Sequence, residues 1–211
     1  METKLVLTPM KLFYLGSLLD ASYIDYSYVS AIESFQESFN LVENEIKNEL
    51  VLNGVISEDF SGDLVVEDQY SELLHPVFHG NKEIEIDEYL FSDNPVINCY
   101  KFHFCDNKIT CISFKDDCFE VVSVTPEMIE SLIDDISSKY KNIDSESETL
   151  DIESIDVSGL LTVKYLELKK ESIVRNYLIS EQSIIQVKDN DELDRIFTES
   201  FSEDTISLVK R

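Results

Sequence analysis

The histidines are the first side chains to consider for metal binding or proton transfer, and the sequence has 3 of them. His75 and His79 are four residues apart, a spacing that places two imidazoles on one face of a helix. Pro76 follows His75 and is expected to break or kink that helix, because proline has no backbone N–H. His103 lies in a predicted strand beside Phe102. We therefore interpret all of them as structural residues and predict no metal site.

The cysteines are the second candidates. Cys99, Cys105, Cys111 and Cys118 lie close together, but they contain no C-x-x-C pair of the kind that binds zinc. A two-residue turn at Asp106-Asn107 would place Cys99 and Cys105 on one face of a hairpin and Cys111 on the other, since side chains alternate along a strand. This pattern favours buried, reduced thiols, as expected in a reducing cytoplasm.

The remaining polar residues match no catalytic or cofactor-binding motif. The sequence has no G-x-G-x-x-G, G-x-x-x-x-G-K-[ST], H-E-x-x-H or G-x-S-x-G pattern, and its 5 glycines do not cluster. Asp134-Asp135 fits the solvated face of a helix, and Asp189-Asn190-Asp191 lacks the later residues of a calcium loop. The sequence therefore predicts no catalytic residue, no cofactor and no enzymatic activity.

The charge balance is extreme, with 17 Lys and Arg against 43 Asp and Glu, a net charge of −26. Such a surface repels nucleic-acid phosphates and anionic membranes, so neither is an expected partner. Two explanations stay open: solubility alone, or electrostatic steering of a basic protein partner. No stretch approaches the roughly 20 apolar residues of a membrane span. The N-terminus lacks the features of a secretory signal, so we expect a cytoplasmic protein.

Apolar residues at helical spacing dominate the N-terminal part. Thr8-Pro9 is typical of an N-cap and first helical residue, and a helix is predicted over residues 9–20. A long amphipathic helix follows and is expected to end at Asn53-Gly54. Its apolar seam consists of Tyr28, Ile32, Phe35, Phe39, Val42, Ile46 and Leu50. Residues 57–64 are expected to form a loop, and the next short helix is expected to end near His75-Pro76.

The pattern then changes to strands separated by turn residues, typical of an antiparallel meander. The predicted strands begin at Ile84 and then cover residues 96–105, 108–114 and 119–124. Thr125-Pro126 is expected to begin a helix.

A second meander is predicted after an acidic segment. Residues 142–163 contain no basic residue, and residues 141–157 are predicted to be an acidic linker. Strands are then predicted over residues 160–168, 172–179 and 183–187, followed by a helix that opens at Asp189 to Glu192 and carries Leu193, Ile196 and Phe201. We predict an α+β fold, an antiparallel sheet flanked by helices in two quasi-related halves, with residues 1–140 and 158–211 packed as one domain.

Several segments occur in a characteristic order. A long helix ends in Glu49 to Ile56, an acidic loop with Gly62 follows, and a short helix closes in Leu73-Leu74-His75-Pro76 before the sheet and the helix at Thr125-Pro126. This order resembles the EspG-like chaperones of bacterial type VII (ESX) secretion. The similarity covers roughly residues 3–140 and continues more weakly to the end of the sequence.

The resemblance implies a cytosolic protein without enzymatic activity that holds a secretion substrate soluble before export. It also implies an α+β fold in two quasi-symmetric halves. The chain is shorter than mycobacterial members and has fewer predicted helices in its second half, so we expect a different substrate. An α-helical toxin targeting domain or its helical partner is the expected binding partner.

We expect the partner contact at Tyr89, Leu90 and Phe91, because large apolar side chains beside a turn are costly in water. Alternatively, these residues pack under the loop. Two further functions stay open: an acidic immunity protein that neutralises a toxin by binding its toxic domain, and an enzyme with an unrecognised carboxylate site. The latter requires a concave pocket with a carboxylate of perturbed pKa. The sequence leaves the oligomeric state open.

Overall fold

The computed structural model describes residues 3–30, 32, 34–91, 96–115, 117–140, 156–168, 170–180, 183–187, 193–196 and 198–210. The helices are α1 (Pro9–Leu18), α2 (Phe35–Leu52), α3 (Asp68–His79), α4 (Pro126–Lys139) and α5 (Thr198–Val209), with a 3-10 turn at Tyr26–Tyr28. The strands are β1 (Lys4–Leu7), β2 (Ile56–Glu58), β3 (Leu64–Val66), β4 (Lys82–Leu90), β5 (Val96–Cys105), β6 (Lys108–Lys115), β7 (Cys118–Val124), β8 (Val157–Glu167), β9 (Lys170–Ser180), β10 (Ser183–Val187) and β11 (Leu193–Ile196).

The chain divides into two compact units. The first comprises Met1–Asn81 and His103–Ser123, and the second comprises Lys82–Phe102 and Val124–Arg211. A strand meander followed by a helix occurs twice along the chain, as β4 to β7 before α4 and as β8 to β11 before α5. This layout confirms the predicted α+β class with two related halves. The acidic segment predicted as a linker lies outside the described residues up to residue 155, and the predicted domain boundaries stay a prediction.

The first unit is built from α1, α2 and α3 and from strands in the order β1-β7-β6. Thr8 caps α1 as predicted, because its hydroxyl accepts a hydrogen bond from the Lys11 N–H at 3.3 Å and Pro9 starts the helix. These elements bury one apolar core. Its buried residues are Leu5, Leu7, Leu12, Tyr14, Leu15, Tyr28, Phe39, Ile46, Leu50, Val55, Ile56, Leu73, Leu74, Val77, Phe78, Ile112, Phe119 and Val121.

The second helix begins later than its apolar seam predicts. Helix α2 starts at Phe35, whereas Tyr28 lies in the 3-10 turn and places its hydroxyl 2.7 Å from Nε2 of His103. Both polar groups are buried, so this long-range hydrogen bond, which the spacing could not reveal, fixes Tyr28 outside the helix. The predicted stop is confirmed, since α2 ends before Asn53 and Gly54 has a φ of +65°.

The predicted loop at residues 57–64 is wrong in its flanks, where β2 and β3 form a hairpin. Ile56 pairs with Val66 at its base. The turn is held by Asp59 Oδ1, which accepts hydrogen bonds from the N–H groups of Ser61 (2.8 Å) and Asp63 (2.9 Å). Strands of three residues are too short to show alternation, so their pairing was not visible in the sequence.

The predicted break at Pro76 is also wrong, because α3 continues through it to His79. An interior proline costs roughly 3 kcal/mol in a helix. Burial of Leu73, Val77 and Phe78 beside it offsets that cost, at about 1.5–3 kcal/mol for each large apolar side chain.

The second unit is built on strands in the order β5-β4-β8-β9-β10-β11. The β4–β8 pairing is antiparallel and runs from Lys82↔Glu167 to Leu90↔Gly159. Helices α4 and α5 pack against each other, and the rings of Tyr177 in β9 and Phe201 in α5 lie 5.1 Å apart. The main buried apolar residues of this unit are Ile84, Ile86, Ile129, Ile133, Ile136, Leu161, Val163, Tyr177, Ile179, Ile184, Phe201 and Leu208.

The last predicted helix begins too early. Leu193 and Ile196 belong to strand β11, which pairs antiparallel with β10 through Ile184↔Ile196 and Val187↔Leu193. Helix α5 starts only at Thr198. Pairing with a neighbouring strand overrides the helical spacing of these apolar residues. The predicted capping segment, residues 189–192, lies outside the described part of the chain.

Candidate partner-binding surface

Strand β4 of the second unit carries two chemically different faces. Side chains alternate along a strand, so Ile84, Ile86 and Glu88 share one face and Glu85 and Tyr89 lie on the other. The first face packs against the helices. Glu88 contacts the end of α4 through Lys139 and Tyr140. Leu161, which pairs with Glu88, lies beside Tyr177, and Tyr177 packs on α5. We call the other face, which carries Glu83, Glu85, Asp87 and Tyr89, the carboxylate face.

A cluster of buried ion pairs occupies one end of the carboxylate face. Lys101 Nζ lies 2.7 Å from Oε2 of Glu85 and 3.9 Å from Oε1 of Glu83. Lys164 of β8 binds the other oxygen of Glu85 and lies 3.6 Å from Oδ2 of Asp87. Glu85 therefore binds both lysines, while the lysine contact of Asp87 is the looser one to Lys164.

These contacts shift the pKa values of Glu85 and Asp87 in opposite directions. Burial would raise the pKa of Glu85, but a hydrogen bond with Asp87 and the two lysines lower it to about 2. Burial and the neighbouring Glu85 carboxylate raise the pKa of Asp87 to about 6, against a weaker opposing hydrogen bond from the Cys99 thiol. The alternative of a carboxylate enzyme requires such a perturbed pKa. Here burial and the neighbouring Glu85 carboxylate account for the raised pKa of Asp87, and no catalytic role is needed to explain it.

An exposed apolar row lies at the other end of the carboxylate face. The side chains of Tyr89, Phe91 and Ile97 are 37%, 50% and 57% exposed. Tyr89 lies opposite Leu160 of β8, and Leu160 lies opposite Leu178 of β9; both leucines are half-buried. Ile97 shares a face with Cys99, which hydrogen-bonds to Asp87, so it lies on the same side as Tyr89. We call these five residues the apolar row.

The apolar row contains two of the three predicted contact residues. The rings of Tyr89 and Phe91 lie 5.4 Å apart in an edge-to-face arrangement and are both exposed. Leu90 points to the opposite face, where it is half-buried and close to Gly159. Strand alternation therefore places Leu90 on the opposite face from Tyr89 and Phe91. Ile97 of the neighbouring strand lies on the same face as Tyr89 and Phe91.

The strand beneath the apolar row is fixed by a buried carboxylate on the helix-bearing face. Glu88 is fully buried and accepts hydrogen bonds from Asn98 Nδ2 (2.7 Å), Lys139 Nζ (3.1 Å) and the Tyr140 hydroxyl. Burial raises its pKa, but these hydrogen bonds outweigh that effect and lower the pKa below its usual value. Tyr89, the next residue, is therefore presented from a well-anchored strand.

The backbone beside Tyr89 is closely packed as well. The Phe91 N–H donates a hydrogen bond to the Ser158 carbonyl at 2.8 Å. A Cβ atom on Gly159 would lie 2.6 Å from the Tyr89 carbonyl oxygen, so only glycine allows this approach of β8 to β4.

Sequence reasoning missed the ion-pair cluster. The signal was present as acidic residues at alternate positions at the start of a predicted strand: Glu83 just before it, and Glu85 and Asp87 within it. Such a pattern usually marks a solvated face, and only the position of Lys101 and Lys164 on neighbouring strands shows that the carboxylates are paired.

Of the other sequence candidates, Cys99 lies on the carboxylate face beside Asp87, and the histidines belong to the first unit. The His75 and His79 rings are 4.8 Å apart on α3, and Nε2 of His79 lies 3.2 Å from the Leu19 carbonyl oxygen. In the described residues, no group of three or more His, Cys, Asp or Glu is placed to hold a metal ion. The cysteines are free, but only Cys111 is buried as predicted, and burial raises its pKa to about 12; Cys99, Cys105 and Cys118 are partly exposed. Asp134 is exposed on α4, as predicted.

The antiparallel sheet, the flanking helices and the repeated meander define an EspG-like α+β fold. The chain is similar to the solved structure of the Mycobacterium tuberculosis type VII secretion system chaperone EspG5 in complex with PE25-PPE41 dimer. The TM-score is 0.64 at 9% sequence identity, over 99% of this chain and 96% of that chain. No family model and no curated protein sequence matches the chain. Within the described residues, no helix is long and apolar enough to cross a membrane.

Proposed function

We propose that this chain is a cytoplasmic chaperone or adaptor that binds a type VII secretion substrate and keeps it soluble and competent for export. The partner is a helical protein, a toxin targeting domain or its helical partner, and it covers the apolar row. The observation that carries this proposal is the exposure of Tyr89 and Phe91, at the end of the anchored strand β4, beside Ile97 of the neighbouring strand β5. The EspG-like fold supports it, since EspG5 is a secretion chaperone in complex with a dimer.

The energetics of the apolar row suit the burial of a partner's apolar helix end. A large aromatic side chain contributes about 150–250 Å² when it is buried. With Phe91 50% exposed, a partner can cover roughly 100 Å² of it, worth about 2.5 kcal/mol at 25 cal/mol per Å². Tyr89 and Ile97 add comparable amounts, so the row can act as the centre of an interface.

The charge of the chain supports the same role and gives no support to catalysis. A net charge of −26 keeps a complex soluble and accelerates the encounter with a basic partner. The same charge favours one other function, an immunity protein that covers the toxic domain of a basic toxin. The two functions differ in the domain that is bound.

The test is affinity capture from the native host after crosslinking, with partners identified by mass spectrometry and then re-expressed as separate domains. The chaperone function requires binding to a helical targeting domain or its helical partner, whereas an immunity protein would bind the toxic domain. The double substitution of Phe91 and Ile97 by alanine should abolish capture. Phe60→Ala is the matched control, because Phe60 is a fully exposed phenylalanine in the turn between β2 and β3. Equal capture by both variants would contradict the proposed surface.

A further inference from the structure

Asp87 differs from Glu83 and Glu85 on the carboxylate face in the exposure of its side chain, which is 32% against 3% and 10%. Glu85 binds Lys101 at 2.7 Å and also binds Lys164, whereas Asp87 lies 3.6 Å from Lys164 and its side chain is 32% exposed. Glu85, Lys101, Lys164 and the Cys99 thiol are the titratable or charged groups that face it from β4, β5 and β8. The acceptor capacity of Asp87 is therefore directed partly to solvent.

Asp87 also lies immediately next to the apolar row. It precedes Tyr89 by two residues on the same face, a distance of about 6.8 Å along a strand. One turn of an α-helix rises about 5.4 Å. A helix whose apolar end covers Tyr89 and Phe91 thus brings its preceding turn over Asp87.

Resting on the proposed function, we propose that Asp87 is a specificity-determining residue that receives a Lys or Arg one turn from the apolar end of the partner helix. The partner is therefore a basic amphipathic helix, and not a purely apolar one. A purely apolar partner would remove the remaining water from Asp87 and force it to take up a proton. A partner cation keeps it ionised and forms a charge-assisted hydrogen bond.

The ionisation of Asp87 gives this proposal a pH signature. The pKa of Asp87 is about 6 in the free protein. A partner that binds only when Asp87 is protonated therefore binds roughly 30-fold more weakly at pH 7.5 than it does to the fully protonated protein. A cationic partner lowers that pKa, so its affinity is full above about pH 6 and falls as the pH drops below it. A neutral partner shows the opposite trend, since protonation removes the cost of covering Asp87.

The experiment uses two lactam-bridged helical peptides that share an apolar end of Leu and Phe and differ only in Lys or Gln one turn before it. Binding to the full chain is followed by NMR amide shifts of Tyr89 and Phe91 at pH 7.5 and pH 5. The Lys peptide should bind roughly tenfold more tightly than the Gln peptide at pH 7.5, as expected for one charge-assisted hydrogen bond, and the two should converge at pH 5. Asp87→Asn should abolish the preference.

The Asp87→Asn variant is expected to fold, because the raised pKa of Asp87 shows that its surroundings disfavour the charged form. Asp134→Asn is the matched control, since it removes one charge from an exposed helix position and should keep the preference. Equal binding of the two peptides, or an undiminished preference in Asp87→Asn, would overturn the role of Asp87 and leave the apolar row intact. Failure of both peptides to shift the Tyr89 and Phe91 amides would contradict the proposed docking surface itself.

Discussion

Replacing Gly159 by alanine should destabilise the second unit, although the local rule for glycine predicts the reverse. Gly159 does not have a left-handed φ, so alanine fits its backbone conformation and restricts the unfolded chain. That effect alone stabilises a protein by about 0.4–1 kcal/mol. The added methyl group, however, would lie 2.6 Å from the Tyr89 carbonyl oxygen.

The contact with the Tyr89 carbonyl oxygen decides whether Gly159→Ala stabilises or destabilises the protein. Carbon–oxygen contacts are comfortable at about 3.3–3.6 Å, so β4 and β8 must separate by roughly 0.7 Å. The oxygen belongs to the backbone of a paired strand, and the Phe91–Ser158 hydrogen bond lies beside it. Overpacking of this kind costs about 1–3 kcal/mol. The net expectation is a loss of about 1–2 kcal/mol.

Gly16→Ala is the matched comparison in the first unit. A Cβ at Gly16 would lie 2.8 Å from Ile24 Cδ1 and 3.1 Å from Phe78 Cε1, but both atoms are the far ends of side chains and not backbone. Gly16 lies inside α1, where alanine is favoured over glycine by about 1 kcal/mol. This variant should be neutral or stabilised by up to about 1 kcal/mol.

Urea unfolding followed by circular dichroism measures both variants, and hydrogen exchange of the β4 and β8 amides locates the effect. If Gly159→Ala is as stable as the wild type, the close approach of the two strands is wrong. Equal losses in both variants would show that a methyl group is costly anywhere, and that the backbone contact is not the cause.

Further consequences can be measured on the same purified protein. Glu88→Gln should lose about 1–3 kcal/mol of stability at pH 7, because a buried charged acceptor is replaced. The wild-type advantage is present above the unfolded pKa and disappears as the pH falls through the lowered folded pKa, so urea midpoints should converge in acid. Phe201→Ala should cost about 3–5 kcal/mol by leaving a cavity beside Tyr177, detectable as a lower thermal midpoint. Cys111 is buried and should react with a thiol reagent at pH 8 only after urea unfolding, whereas the partly exposed Cys99, whose pKa burial also raises, should react slowly in the native protein; prompt reaction of Cys111 in the native protein would contradict its burial.

Elements with strong local signals were predicted to within a residue or two. Strand β5 was predicted at its observed bounds, and the turn after it is explained by Asp106, whose φ is +51°. The elements that were missed depend on distant partners. Strand β11 exists because it pairs with β10, and Tyr28 leaves the α2 seam because of a hydrogen bond to His103. No window of neighbouring residues contains that information.

The candidate surface divides in the same way. Tyr89 and Phe91 were visible as apolar residues beside a turn, and strand alternation accounts for the inward position of Leu90. The pairing of Glu85 with Lys101 was not visible, because a carboxylate in a solvated strand face and one in a buried ion pair have the same local sequence. Burial and register across strands distinguish them.

The buried ion pairs and the apolar row have a physical reason to share one sheet face. Apolar residues in place of Glu85, Lys101 and Lys164 could be as stable or more stable, since burying charges is costly even when they are paired. An apolar residue in place of Lys164, whose side chain is 30% exposed, would however extend the exposed apolar row into a larger patch of the kind that aggregates. The charged cluster limits the exposed apolar surface to the Tyr89 end of β4. The ion pairs of the cluster still connect β4 to β5 and β8. The proposed binding function requires such a compromise, because the apolar row must stay exposed to water until the partner covers it.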